Sequence, residues 1–216
     1  METVVLTAVI YLVIHNFVAQ PFEVEQNSMV ATIQPGDYVL IDKLTPRWDD
    51  FARGDVVVFD PPDGYEQSGV PFIKRVIGLP GETVLLENGL VFIKPPGGVA
   101  VRLDEPYLVT GGDGTPAPTL PRDALGTTEW IVPDGRYFVM GDNRPDSQDS
   151  RFFGPIQRDL IVGRAFVRYF PLDRITLFDS PPYPGLVEAV RDDWSARVHQ
   201  PRGGSSAITH VSIVRS

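Results

Sequence analysis

The chain has 216 residues, 43% hydrophobic and 22% charged, with a formal net charge of −9. That apolar share supports a real core, and the length suits one sizeable domain or a core with an insertion. The acidic balance argues against nucleic acid as a partner, because phosphate neutralisation needs basic surface. Cysteine is absent, which removes disulfides, zinc–thiolate sites and thiol nucleophiles together.

Residues 3–14 are apolar apart from Thr3 and Thr7, and Phe17, Val18 and Ala19 extend the run. A helix over residues 1–21 comes close to the ~20 residues that a bilayer core requires, and Pro21 ends it. No Lys or Arg precedes the apolar run and no A-x-A site follows, so a cleaved signal peptide fits poorly. The segment reads as a transmembrane anchor, with a soluble core helix as the alternative.

Residues 22–25 alternate as a strand, Asn27-Ser28 and Pro35-Gly36-Asp37 are turns, and residues 38–41 form a second strand. Val56-Val57-Val58-Phe59 is strongly β-prone and stops at Pro61-Pro62. Residues 72–77 read as a strand closed by Gly78 and the Pro80-Gly81 turn. Two further β runs, 83–87 and 90–94, flank Asn88-Gly89, the signal for a type I′ hairpin. Residues 95–133 are rich in Gly, Pro, Thr and Asp and read as a loop-rich insertion with short strands at most, such as 129–132. Strands at 137–140 and 163–170 complete the core. The expected organisation is an anchor at 1–21, a β core from 22–94 and 134–180, the insertion at 95–133, and a disordered tail at 181–216.

The strand 72–77 carries the chemistry. Side chains alternate along it, so Lys74 shares a face with Phe72 and Val76, while Arg75 shares the other with Ile73 and Ile77. The bland reading is an edge strand whose two cations reach solvent. If the strand is buried, arginine stays charged in an ion pair, but lysine responds to desolvation with a lowered pKa. A fall of about three units from ~10.4 would give a neutral amine near physiological pH, which is what a general base needs. The three histidines lie in the anchor and the tail, so a Ser-His-Asp site is poorly supported. A Ser-Lys pair is the remaining route to an activated hydroxyl. Asp142, Asp146 and Asp149 lack the glycine and terminal glutamate of an EF-hand loop. They read instead as partners of Arg144 and Arg151, so no metal or other cofactor is expected.

Five groups of residues, in order, give the chain a resemblance to the bacterial type I signal peptidases, the serine-lysine leader peptidases. They are Ser28-Met29 with Thr32; Pro35-Gly36-Asp37; Arg53-Gly54-Asp55 with the valines after it; Lys74-Arg75-Val76-Ile77-Gly78 through Glu82; and Gly141-Asp142-Asn143-Arg144 followed by Ser147, Asp149, Ser150, Arg151 and Gly154. The resemblance implies a mainly β fold, an antiparallel sheet core of the signal-peptidase type, with an N-terminal transmembrane helix. It implies Ser28 as nucleophile, Lys74 as general base, and Ser147 as the group that orients the amine. Asp149, Arg75 and Arg151 would form an ion-paired scaffold behind them. Val24, Met29, Ile33, Val58, Phe72 and Ile73 would wall shallow apolar pockets for small substrate side chains. The Ser28 N–H would bind the oxyanion; the position two residues earlier, where some relatives carry a second donor, is Gln26. Relatives usually carry proline where this chain has Ala31, and alanine is expected to loosen that loop.

The implied activity is removal of signal peptides from exported preproteins after an A-x-A-like site, through an acyl-enzyme. The implied setting is a monomer anchored in the cell membrane, in contact with lipid, with its catalytic domain on the extracytoplasmic side. Two alternatives share part of this pattern. A soluble self-cleaving repressor-type peptidase would use the same pair, and a tethered β domain would bind signal peptides without cutting them.

Overall fold

A computed structural model describes residues 3–7, 18–65, 70–180, 183 and 186. Its strands are β1 (Ala19–Glu23), β2 (Tyr38–Asp42), β3 (Val56–Phe59), β4 (Phe72–Gly78), β5 (Thr83–Glu87), β6 (Leu90–Lys94), β7 (Val101–Arg102), β8 (Glu129–Ile131), β9 (Arg136–Met140), β10 (Ile156–Gln157), β11 (Ile161–Phe170) and β12 (Thr176–Leu177). One helical turn, α1 (Ser150–Phe153), follows β9.

The larger sheet runs β1-β2-β11-β3-β4-β9-β10, with β12 added beside β11. A four-stranded sheet runs β7-β6-β5-β8. The ladders are antiparallel, as short connections between successive strands favour. β4 lies between β3 and β9 and is buried along its whole length, so it is a central strand and not an edge. Lys74 faces Val57 across one ladder, and Arg75 faces Met140 across the other.

The hairpin of β5 and β6 turns at Asn88 and Gly89, whose φ values of 51° and 78° are those a type I′ turn demands. This hairpin belongs to the smaller sheet, together with the strands that residues 95–133 contribute. Val84, Val91, Ile93 and Val132 from that sheet close against Ile77, Phe138 and Met140. Each such side chain contributes roughly 1.5–3 kcal/mol by leaving water.

Two boundaries differ from the sequence reading. Ala19, Gln20 and Pro21, assigned above to the end of the anchor, are already in β1 and pair with β2. Their register with Asp42, Ile41 and Leu40 outweighs the hydropathy of the run before them. Residues 3–7 are helical; residues 1–2 and 8–17 of the expected anchor lie outside the described residues. Among those residues no helix is long and apolar enough to cross a membrane. In the expected tail, Leu186 is buried in the core between the sheets and Tyr183 packs against it; the remainder of residues 181–216 lies outside the described residues.

Candidate active site

Three segments meet at one cleft. The first is the stretch from Val24 to Asp37, folded into consecutive turns. The Met29 carbonyl accepts from the N–H groups of Thr32 and Ile33, at 3.0 and 2.8 Å. Val24 and Asp37 close the base of this loop, with Val24 N–H donating to the Asp37 carbonyl at 2.9 Å. The second segment is β4. The third is the loop from Gly141 to Asp149 that follows β9.

Ser28 and Lys74 come together where these segments touch. The Lys74 Nζ lies 2.7 Å from Ser28 Oγ and also donates to the Ile73 carbonyl at 3.0 Å. Lys74 is 1% exposed and Ser28 is 5% exposed. Burial pushes the Lys74 amine from 10.5 down to about 8, against the opposing pull of the Asp149 and Asp142 charges. The Ser28 N–H makes no hydrogen bond among the described residues, while the Ser28 carbonyl accepts from Asn143 N–H at 2.9 Å. A cleft of about 230 Å³ opens over the pair, lined by Glu25, Gln26, Asn27, Ser28, Phe72, Lys74, Asp146 and Gln148.

The scaffold consists of two separate ion pairs. Arg151 grips Asp149 with Nε and Nη2, both at 2.8 Å. Asp149 also accepts from Ser147 Oγ at 2.7 Å and from Gly141 N–H at 3.1 Å. Burial works to raise the Asp149 pKa, but Arg151, Ser147 and the Gly141 N–H outweigh it and hold the carboxyl below its usual value. Arg75 makes the second fork, to Asp142, at 2.8 and 2.6 Å, and its guanidinium lies over the Tyr107 ring at 4.0 Å. Burial pulls its pKa down, and the Asp142 carboxylate more than restores it.

Several expectations change in detail. The Ser147 hydroxyl is bonded to Asp149 and not to the Lys74 amine. Arg144 is paired with Glu105 and donates to Thr119, not to the aspartates of its own loop, so it ties the insertion to the site. Val24, Met29, Ile33, Val58 and Ile73 are shut into one core cluster behind Ser28, each at most 3% exposed. Of the six predicted substrate-contacting residues, Phe72 lines the cleft. Ala31 takes φ 103°, a value that a proline ring near −65° does not allow.

Two residues play parts other than those expected. Asp142, read as a partner of Arg144 or Arg151, holds Arg75 instead. Gly141 was quoted in a motif without a role; a Cβ there would overlap the Ser147 hydroxyl and the Ser28 carbonyl oxygen. Only glycine lets the two loops approach this closely.

Comparison with known proteins places the chain in a family. The family model described as signal peptidase, peptidase S26, matches residues 1–170. A probable signal peptidase I-2 of Synechocystis sp. is 34% identical over 203 residues, covering 93% of this chain and 86% of the relative. Signal peptidase I S of Bacillus subtilis is 33% identical over 180 residues, covering 81% of this chain and 89% of the relative. A crystal structure of a signal peptidase I from Enterococcus faecalis V583 is 35% identical, covers 54% of this chain and 97% of its own, and has a TM-score of 0.40. These matches set aside the repressor-type peptidase and the non-cutting binder: the chain belongs to the bacterial type I signal peptidases of family S26, hydrolases that remove signal peptides.

Proposed function

We propose that Ser28 and Lys74 form the catalytic dyad, cutting exported preproteins after an A-x-A-like site through an acyl-enzyme. The observation that carries this is the buried 2.7 Å approach of Lys74 Nζ to Ser28 Oγ at the floor of a cleft. With the amine neutral, the hydroxyl donates its proton to Nζ as Oγ attacks the scissile carbonyl. The Ser28 N–H faces the developing oxyanion, where one such donor is typically worth about 3–4 kcal/mol. The resulting Lys74 ammonium returns the proton to the leaving amine as the peptide bond breaks. A water then gives a proton to Lys74 as it attacks the acyl carbon; the acyl–Oγ bond breaks, the Lys74 ammonium returns that proton to Ser28 Oγ, and the signal peptide leaves with a new carboxyl end.

The supporting residues act through charge and position. Asp149, held by Arg151 and Ser147, keeps the Lys74 ammonium from becoming too strong an acid. Arg75 and Asp142 brace the strand on its other face. By the family resemblance Val24, Met29, Ile33, Val58 and Ile73, which pack in one cluster, would wall shallow apolar pockets that admit small side chains at the two specificity positions.

The setting is the extracytoplasmic face of the cell membrane, to which the N-terminal apolar segment would anchor the chain. Phe170, Leu172, Ile175 and Leu177 support it, being 48, 74, 57 and 66% exposed around the end of β11 and on β12. A monomer in contact with lipid would cover them. The test is cleavage of a preprotein, and of an Ala-x-Ala peptide, by the purified full chain in detergent. Ser28→Ala and Lys74→Ala each abolish turnover if the dyad is right; activity retained by either variant removes that residue from the mechanism.

A further inference from the structure

Thr32 takes no part in the chemistry above, yet its backbone and side chain are held from three directions. Its N–H donates to the Met29 carbonyl at 3.0 Å, within the turn that starts at Ser28. Its carbonyl accepts from Arg168 Nη1 at 2.8 Å. Its hydroxyl donates to Asp142 Oδ2 at 2.5 Å, and Arg75 Nη2 lies 3.4 Å from that same hydroxyl.

These anchors are themselves fixed. Arg168 sits where the ladder of β11 and β2 shifts register, so its side chain is re-aimed toward the loop. There it also reaches Asp37, which is fully buried, at 3.2 Å, and the Arg174 carbonyl at 2.7 Å. Asp142 is clamped by the Arg75 fork. The next residue, Asn143, holds the Ser28 carbonyl at 2.9 Å. The end of β9 therefore grips both ends of the short turn, Ser28 at one and Thr32 at the other.

Between the two grips lies Ala31, with φ 103°. A side chain bearing a Cβ rarely adopts this region, and it persists only where surrounding structure enforces it. Ala31 is exposed, so its own packing does not supply the constraint. The neighbouring Thr32 carries the anchors described above.

We propose that Thr32 is a positioning residue for the nucleophile: its anchorage holds Ala31 in the strained conformation and so keeps Ser28 Oγ within reach of the Lys74 amine. When the hydroxyl anchor is lost, the strain relaxes by moving the turn, and the 2.7 Å approach opens. The idea rests on Ser28 and Lys74 being the reacting pair.

The test is a set of variants of the full chain assayed in detergent on an Ala-x-Ala peptide. Thr32→Val keeps the β-branched shape and removes the hydroxyl, while Asp142 keeps its Arg75 fork. Its kcat is expected to fall by about 10- to 100-fold, the scale of a misplacement near 1 Å, with KM changed by less than about twofold. Thr32→Ser keeps the hydroxyl and retains activity to within about threefold by the same reasoning. The deciding variant is Thr32→Val combined with Ala31→Gly. Glycine occupies φ 103° without strain, so the double variant recovers at least about tenfold of the lost kcat. Wild-type kcat in Thr32→Val overturns the proposal. So does a loss that Ala31→Gly fails to recover, since simple packing damage would not respond to the neighbour's φ. Turnover by Ser28→Ala would instead strike the dyad itself, and is read independently of the Thr32 series.

Discussion

A lysine buried beside a serine has a consequence for stability that is separate from catalysis. The folded chain disfavours the Lys74 ammonium, moving its pKa from 10.5 to about 8. That gap corresponds to about 3 kcal/mol of penalty on the charged form. Because the folded state binds fewer protons than the unfolded state between about pH 8 and 10.5, stability rises with pH across that window. The penalty is present in full below the folded pKa and is gone above the unfolded one. Lys74→Met keeps the unbranched apolar stem and removes the charge. It also removes the hydrogen bonds to Ser28 and to the Ile73 carbonyl, together worth about 2 kcal/mol. The variant is therefore expected to be more stable than wild type by about 1 kcal/mol at pH 7, while being inactive. The advantage reverses by about pH 10.5. Urea unfolding of both proteins in the same detergent, across pH, measures the difference and cancels the groups that the two share. A variant no more stable than wild type at pH 7, or a difference independent of pH, would refute the burial argument.

Other substitutions separate site from scaffold. Gly141→Ala forces a Cβ into the Ser147 hydroxyl and the Ser28 carbonyl, so kcat falls at least about 100-fold, as expected for a displaced nucleophile; peptide cleavage at saturating substrate measures it. Ile93→Ala, in the core between the two sheets, costs about 2–5 kcal/mol in unfolding experiments but leaves the pH–rate profile of the folded enzyme unchanged. Replacing Leu172 and Ile175 together by serine removes exposed apolar surface and lowers the rate at which the chain, reconstituted in phospholipid vesicles, cleaves a membrane-inserted preprotein, with peptide cleavage in detergent preserved.

The strands were legible because their composition and punctuation are local. Val56–Phe59 and the hairpin around Asn88-Gly89 fall where β-branched runs and turn residues put them. The approach of Lys74 to Ser28 was legible on two grounds: a lysine amid Phe72, Ile73, Val76 and Ile77 is anomalous with no histidine to take the role, and the family resemblance singled out Ser28. What the chain did not reveal depends on register between distant segments. Arg75 meets Asp142 and Arg144 meets Glu105 because β9 and the insertion arrive beside β4, and alternation along one strand cannot give that. The apolar residues near Ser28 have the same composition whether they wall a pocket or fill a core. Packing shows five of them buried in one cluster, which alternation along the chain does not give. At Ala19–Pro21, hydropathy continued past the point where pairing with β2 takes over.

The most direct measurement is the pH dependence of kcat/KM for an uncharged Ala-x-Ala peptide with purified full chain. With Lys74 at about 8, roughly a tenth of the amine is neutral at pH 7, so the rate should climb and level off with an inflection near 8. An inflection at or above 10, where an ordinary lysine titrates, or a rate with no dependence on this ionisation, would contradict Lys74 as the base.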